Sequence, residues 1–168
     1  MITYDTHFNA NEWFVIILSI VSYALVWSLP KYFLKAETIT YIAIGGFIGF
    51  FFDHTISVQP FNFYDVNDRS VFQFMDFLSY VMYGPFAYFF LYIWARCQLK
   101  LMNAPIYIFV WSFFSMLMEW IGVKCGVYHY QMGYKLYYSF GIYIVTQIVL
   151  LSCYYVIQKQ LISQENSG

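Results

Sequence analysis

Four side chains in this sequence have the types and setting for chemistry: Asp53, His54, Asp76 and Glu119, each lying in a long apolar run. A carboxylate inside such a run is costly unless it faces a protein interior, a partner or water. Carboxylates with an imidazole suit a divalent metal. Carboxylates among aromatic rings suit an organic cation, and closely packed acids suit proton binding. Tyr80 and Tyr83 lie below Asp76 on one helical face, and His129 falls in the connection that follows Glu119. Asp53, His54, Asp76, Glu119, Tyr80, Tyr83 and His129 are therefore the candidate ligand-binding residues, and Asp53, His54, Asp76 and Glu119 the candidate metal ligands. The competing account is structural, with each acid hydrated near a membrane surface or paired with Arg69, Lys124 or Lys135.

The elements that must position these groups read as five membrane helices. Apolar runs cover residues 13–29, 38–58, 71–95, 104–123 and 137–157, followed by a polar tail at 158–168 that is expected to be disordered. Each run has about the twenty apolar residues that a span requires. The chain is 61% apolar and 10% charged across 168 residues, too few charges to cover a water-exposed surface. The expected fold is all-α, a single integral membrane bundle of five transmembrane helices with no separate soluble domain. The N-terminus lacks a basic region and the first run lacks a small-residue cleavage site, so the first helix is expected to remain in the mature protein. Placing the N-terminus outside and the C-terminus inside puts Lys31, Lys35, Arg96, Lys100 and Lys159 inside, and Arg69, Lys124 and Lys135 outside, in line with the positive-inside bias.

On that topology Asp53, Asp76 and Glu119 all fall roughly 6–8 Å below the outer ends of their runs at 1.5 Å of rise per residue. The inner half is almost free of ionisable groups. Ser139, Tyr143 and Gln147 form a polar face on the last run, as do Ser112, Ser115 and Glu119 on the fourth. Gly45 and Gly49 make a GxxxG face that admits a close neighbouring backbone, and Asp53 continues it. Pro85 removes one donor from the third run, should kink it, and frees the carbonyl of Val81.

Several functions are excluded or disfavoured. A net charge of −1 offers no basic surface for nucleic acid. Cys97, Cys125 and Cys153 form no CxxC pair, and no HExxH, GxSxG, Walker or Rossmann pattern occurs. Asp65-Val-Asn-Asp opens like a calcium loop, but Ser70 stands where such a loop needs glycine. The sequence specifies no cofactor and no catalytic residue.

The stretch from Glu119 through Tyr128, Gly133 and Tyr138-Ser139 resembles a family of small multi-span membrane proteins of Gram-positive bacteria. Tyr134 stands where that family has Trp. The resemblance covers the last third of the chain, and implies a multi-span protein of a bacterial cytoplasmic membrane with no activity attached. The functional expectation is a binding or transport component with an outward-facing acidic, aromatic pocket for a cation or cationic solute. One alternative is an accessory subunit acting through helix contacts, with another membrane protein or with itself through Gly45 and Gly49. A membrane-embedded metalloenzyme is the third. The lipid bilayer is the common partner of all three.

Overall fold

A computed structural model describes residues 2–165. Five helices carry the fold: α1 (Ala10–Ser28), α2 (Lys35–Asp53), α3 (Phe74–Arg96), α4 (Ala104–Lys124) and α5 (Leu136–Glu165). Among the described residues these five are each long and apolar enough to cross a membrane. A 3₁₀ turn at Leu101–Asn103 leads into α4, where Pro105 sits at the start of the helix, a position that needs no amide hydrogen.

Three of the five helix starts share one device. Glu12 accepts the Asn9 backbone N–H at 2.7 Å, Glu37 that of Leu34 at 2.8 Å, and Asp76 that of Gln73 at 2.6 Å. Each acid is the third residue of its helix, so it satisfies an otherwise orphaned donor and faces the positive end of the helix dipole.

Helix α3 is the axis. Of its span, 61% is buried, against 22% or less for each of the other four. It packs most extensively on α2 and then on α1, while α4 pairs chiefly with α5. The α2–α3 contact is close because of glycine: a Cβ on Gly45 would fall 2.6 Å from that of Ala87, and one on Gly84 2.7 Å from an Ile42 methyl. Gly49 lies against the Tyr83 ring. The Gly45–Gly49 face is thus filled by α3 of the same chain. Helix α3 runs unbroken through Pro85, and the Val81 carbonyl freed by that proline accepts the Tyr23 hydroxyl at 3.2 Å.

Two short strands add to the expected all-helical bundle. Strand β1 (Tyr64–Val66) precedes α3, and β2 (Tyr128–Tyr130) lies between α4 and α5. They pair antiparallel, with Asp65 opposite His129. The N-terminal segment joins them at one end of the bundle: Thr3 bridges Arg69, and the Tyr4 N–H reaches the Asp68 carbonyl at 2.7 Å. Gly126 and Gly133 flank β2 at φ +84° and +76°, values glycine takes without strain. The result is a cap of chain over the end where α2 stops and α3 starts.

Several expected boundaries move. Helix α2 ends at Asp53 instead of 58, and α3 starts at 74 instead of 71. The acids therefore do not share one depth inside their helices: Asp53 closes α2, Asp76 is in the first turn of α3, and Glu119 precedes the end of α4 by five residues. The segment from 158 to 165, expected as a disordered tail, is helical; residues 166–168 lie outside those described. That extension matters at the far end, where Gln158 on α5 donates to the buried carboxylate of Glu37. The end of the bundle opposite the cap accordingly contains a buried acid that the expectation of a nearly charge-free end missed.

Candidate functional site

Between the α1–α2–α3 group and the α4–α5 hairpin lies a cavity with about 170 Å³ open to the centres of water-sized molecules. One water needs about 10–15 Å³ on that measure, so several waters or a small organic molecule would fit. Its walls are mainly apolar and aromatic, including Phe52, Phe86, Trp111 and Met118. Two carboxylates reach it, Asp53 from α2 and Glu119 from α4.

Glu119 is held from three directions. Its Oε1 accepts the Tyr130 hydroxyl at 2.6 Å and the Ser139 hydroxyl at 2.7 Å; its Oε2 accepts the Tyr143 hydroxyl at 2.8 Å. Ser139 in turn shares a 2.9 Å hydrogen bond with Tyr134. The polar face of α5 read from the sequence is what meets Glu119, since Ser139 and Tyr143 are one helical turn apart. Tyr130 comes from the cap, because alternation along β2 turns Tyr128 and Tyr130 to the side opposite His129.

Asp53 has much less. Its Oδ1 accepts the Tyr64 hydroxyl at 2.7 Å. Its Oδ2 is buried and, among the described residues, has no hydrogen-bond partner, although the Tyr80 hydroxyl is near enough to interact electrostatically. As the last residue of α2 it also faces the negative end of the helix dipole.

The cap tyrosines are fixed donors. Burial raises the pKa of the Tyr64 hydroxyl, followed in effect by the Asp53 charge. Burial and then the hydrogen bond to Glu119 do the same for Tyr130. Burial likewise raises Tyr128, whose hydroxyl shares a 2.6 Å hydrogen bond with that of Tyr83. These hydroxyls stay protonated at neutral pH, and those of Tyr64 and Tyr130 donate to the carboxylates.

A second cavity, of about 110 Å³ on the same measure, lies beneath the cap. His54, Asp65, Arg69, Asp76 and Tyr80 line it, together with the exposed side chains Val58, Val71 and Phe72. Asp53 lines both cavities, and is the one residue common to the two.

The sequence-predicted residues thus divide. Asp53, Glu119 and Tyr83 meet at the inner cavity, while Asp53, His54, Asp76 and Tyr80 meet at the outer one. Asp76 is engaged by the Gln73 N–H and by the Asn67 amide at 2.7 Å. His54 is exposed, stacked on Phe50 with ring centroids 4.0 Å apart, and its Nδ1 lies 3.0 Å from the Phe50 carbonyl oxygen. His129 stacks on Tyr4 at 3.8 Å, away from both cavities. Among the described residues no three His, Cys, Asp or Glu side chains are arranged to hold a metal ion. The donors to the three acids are hydroxyls and amides, and Lys124 instead stands 6.0 Å from the centre of the Trp120 ring. Tyr64, Tyr130 and Glu37 were not among the candidates. The alternation of Tyr128-His129-Tyr130 carried the signal for Tyr130.

No family model matches the chain, and neither a curated protein nor a solved structure is significantly similar to it.

Proposed function

We infer that the protein is a multi-pass component of a bacterial cytoplasmic membrane that binds an organic cation in the cavity between its helices. One observation carries this reading. The two intramembrane acids that cap no helix, Asp53 and Glu119, both face a cavity walled by aromatic rings. A quaternary or protonated amine is attracted to the faces of such rings and to a carboxylate. Glu119, accepting hydrogen bonds from three hydroxyls, holds a carboxyl group in place at the cavity wall. Asp53, with a bare oxygen, supplies the direct contact. The basic-residue bias of the loops favours a cap on the outer side, and the resemblance of the last third of the chain to bacterial multi-span proteins favours a bacterial cytoplasmic membrane. Uptake across the membrane, as opposed to binding alone, would extend the same reading.

The test is a titration of the purified protein in detergent with choline and with its neutral isostere 3,3-dimethylbutan-1-ol. Choline should raise the melting temperature in a concentration-dependent way, as any ligand of the folded state does, and the isostere should not. Asp53→Asn should weaken choline binding at least about tenfold, the equivalent of about 1.4 kcal/mol. Equal stabilisation by both compounds, or an unchanged affinity in Asp53→Asn, would remove the case for a cation site.

A further inference from the structure

The two cavities meet at a single side chain, and that side chain is held by a single hydrogen bond from the cap. We propose that the cavity beneath the cap is the entry vestibule to the inner cavity, and that Asp53 is the gate between them, latched by Tyr64. The proposal rests on the cation reading for its ligand class, but the route stands on separate geometry.

Three observations support it. Asp53 alone lines both spaces, so a solute passing from one to the other must pass its carboxylate. Asp53 Oδ2 is buried and makes no hydrogen bond among the described residues, so the side chain stands between the two spaces with one oxygen uncommitted. The 2.7 Å contact from Tyr64 on β1 to Oδ1 is its one direct hydrogen bond among the described residues, with the Tyr80 hydroxyl of α3 close by, so releasing Tyr64 loosens the side chain on the cap side. A carboxylate with an unpaired oxygen in a dry position gains by meeting a cation on either side, which lets it accept a cation from the vestibule and present it to the inner cavity.

The vestibule has the character such an entry needs. Val58, Val71 and Phe72 at its rim are exposed. Its charged wall carries Asp65 and Asp76 with Arg69, and Asp53 makes a third acid at its floor. Asp65 and Asp76 are both engaged in hydrogen bonds, the former from Tyr4 at 2.7 Å and the latter from Asn67 at 2.7 Å. They therefore set the sign of the field without trapping the solute, and Asp53 is the acid left to take it. At the opposite end of the bundle, Phe90, Trp94 and Tyr107 pack tightly, with the Tyr107 hydroxyl donating to the Phe90 carbonyl at 2.6 Å.

The experiment measures how fast a thiol inside the inner cavity is reached. Ser115 lines that cavity, and Ser115→Cys is close to isosteric. The substitution is made in full-length protein with Cys97, Cys125 and Cys153 replaced by alanine. The modification rate is then measured with trimethylammonium-ethyl methanethiosulfonate, whose head group is that of choline. Filling the vestibule by Val58→Trp or Val71→Trp, two exposed positions on different segments, should slow modification about tenfold or more, as expected when the open route becomes a minor state. Tyr64→Phe, which removes the latch, should speed it about five- to tenfold, the population shift that losing one hydrogen bond produces. Unchanged rates in both filled variants, or an unchanged rate in Tyr64→Phe, overturn the proposal. A neutral methanethiosulfonate that reacts as fast as the cationic one, and is slowed equally by the fillers, would refute the cation reading and leave the route standing.

Discussion

Two sets of buried acids in this bundle invite comparison. Glu12, Glu37 and Asp76 stand three residues into their helices, where each accepts a backbone N–H and faces the positive end of a helix dipole. Asp53 closes its helix, where the dipole opposes a negative charge, and Glu119 stands five residues before the end of its own, with no helix start to cap. The first set would be retained by any helix that needs a cap. The second set is tolerated only through contacts from elsewhere in the fold, and those contacts are hydroxyl groups around a cavity. Position along the helix, more than depth in the membrane, separates the acids that build the bundle from those available to a ligand.

The sharpest way to break that contrast is at Glu119. Replacement by alanine strands the hydroxyls of Tyr130, Ser139 and Tyr143 in a buried setting. With about 1–3 kcal/mol for each unsatisfied group and some re-pairing among them, a loss of about 3–5 kcal/mol is expected. Glu119→Gln keeps two acceptor sites and should lose roughly half as much. Thermal unfolding in one detergent would read both. Equal, small losses would show that the hydroxyls rearrange freely and that Glu119 is not their organiser.

Asp76 tests the other set. Asp76→Ala removes the acceptor of the Gln73 N–H and leaves the buried Asn67 amide without that partner, at an expected cost of about 1–2 kcal/mol. Choline affinity should stay within about threefold of wild type, since Asp76 does not line the inner cavity and its carboxylate is already engaged by Asn67 and the Gln73 N–H. A loss as large as that expected for Asp53→Asn would move Asp76 into the binding set and dissolve the distinction between capping and cavity acids.

Much of this arrangement was legible before the fold. Charge scarcity and run length determined five helices, and the Gly45–Gly49 face does meet a close backbone neighbour in α3. The spacing of Ser139 and Tyr143 marked the face that meets Glu119. Helix ends were harder to read, because Ile56 and Val58 continue the apolar pattern after the last turn of α2 has closed at Asp53. Apolarity alone cannot distinguish a helix from a cap segment buried against it. The same blur hid the strands: Tyr64 and Tyr130 reach the carboxylates only because β1 pairs with β2 across some sixty residues of chain, a long-range pairing without a local signature. Glu37 was overlooked for a related reason, since its partner Gln158 sits in a polar stretch that reads as a tail.

Asp53 offers the smallest effect and the one whose sign discriminates best. Its carboxylate opposes the α2 dipole and keeps one buried oxygen unpaired, so folding proceeds in spite of it. Asp53→Asn removes the formal charge and preserves an oxygen for the Tyr64 hydroxyl. The expected change is a gain of about 0.5–1 kcal/mol in unfolding free energy, coupled to the loss of choline binding. A residue kept for packing would behave oppositely and destabilise when altered, as Asp76→Ala is expected to do. If Asp53→Asn melts below wild type in ligand-free detergent, Asp53 belongs with the structural acids, and the comparison that singles out the cavity collapses at the member with fewer hydrogen bonds.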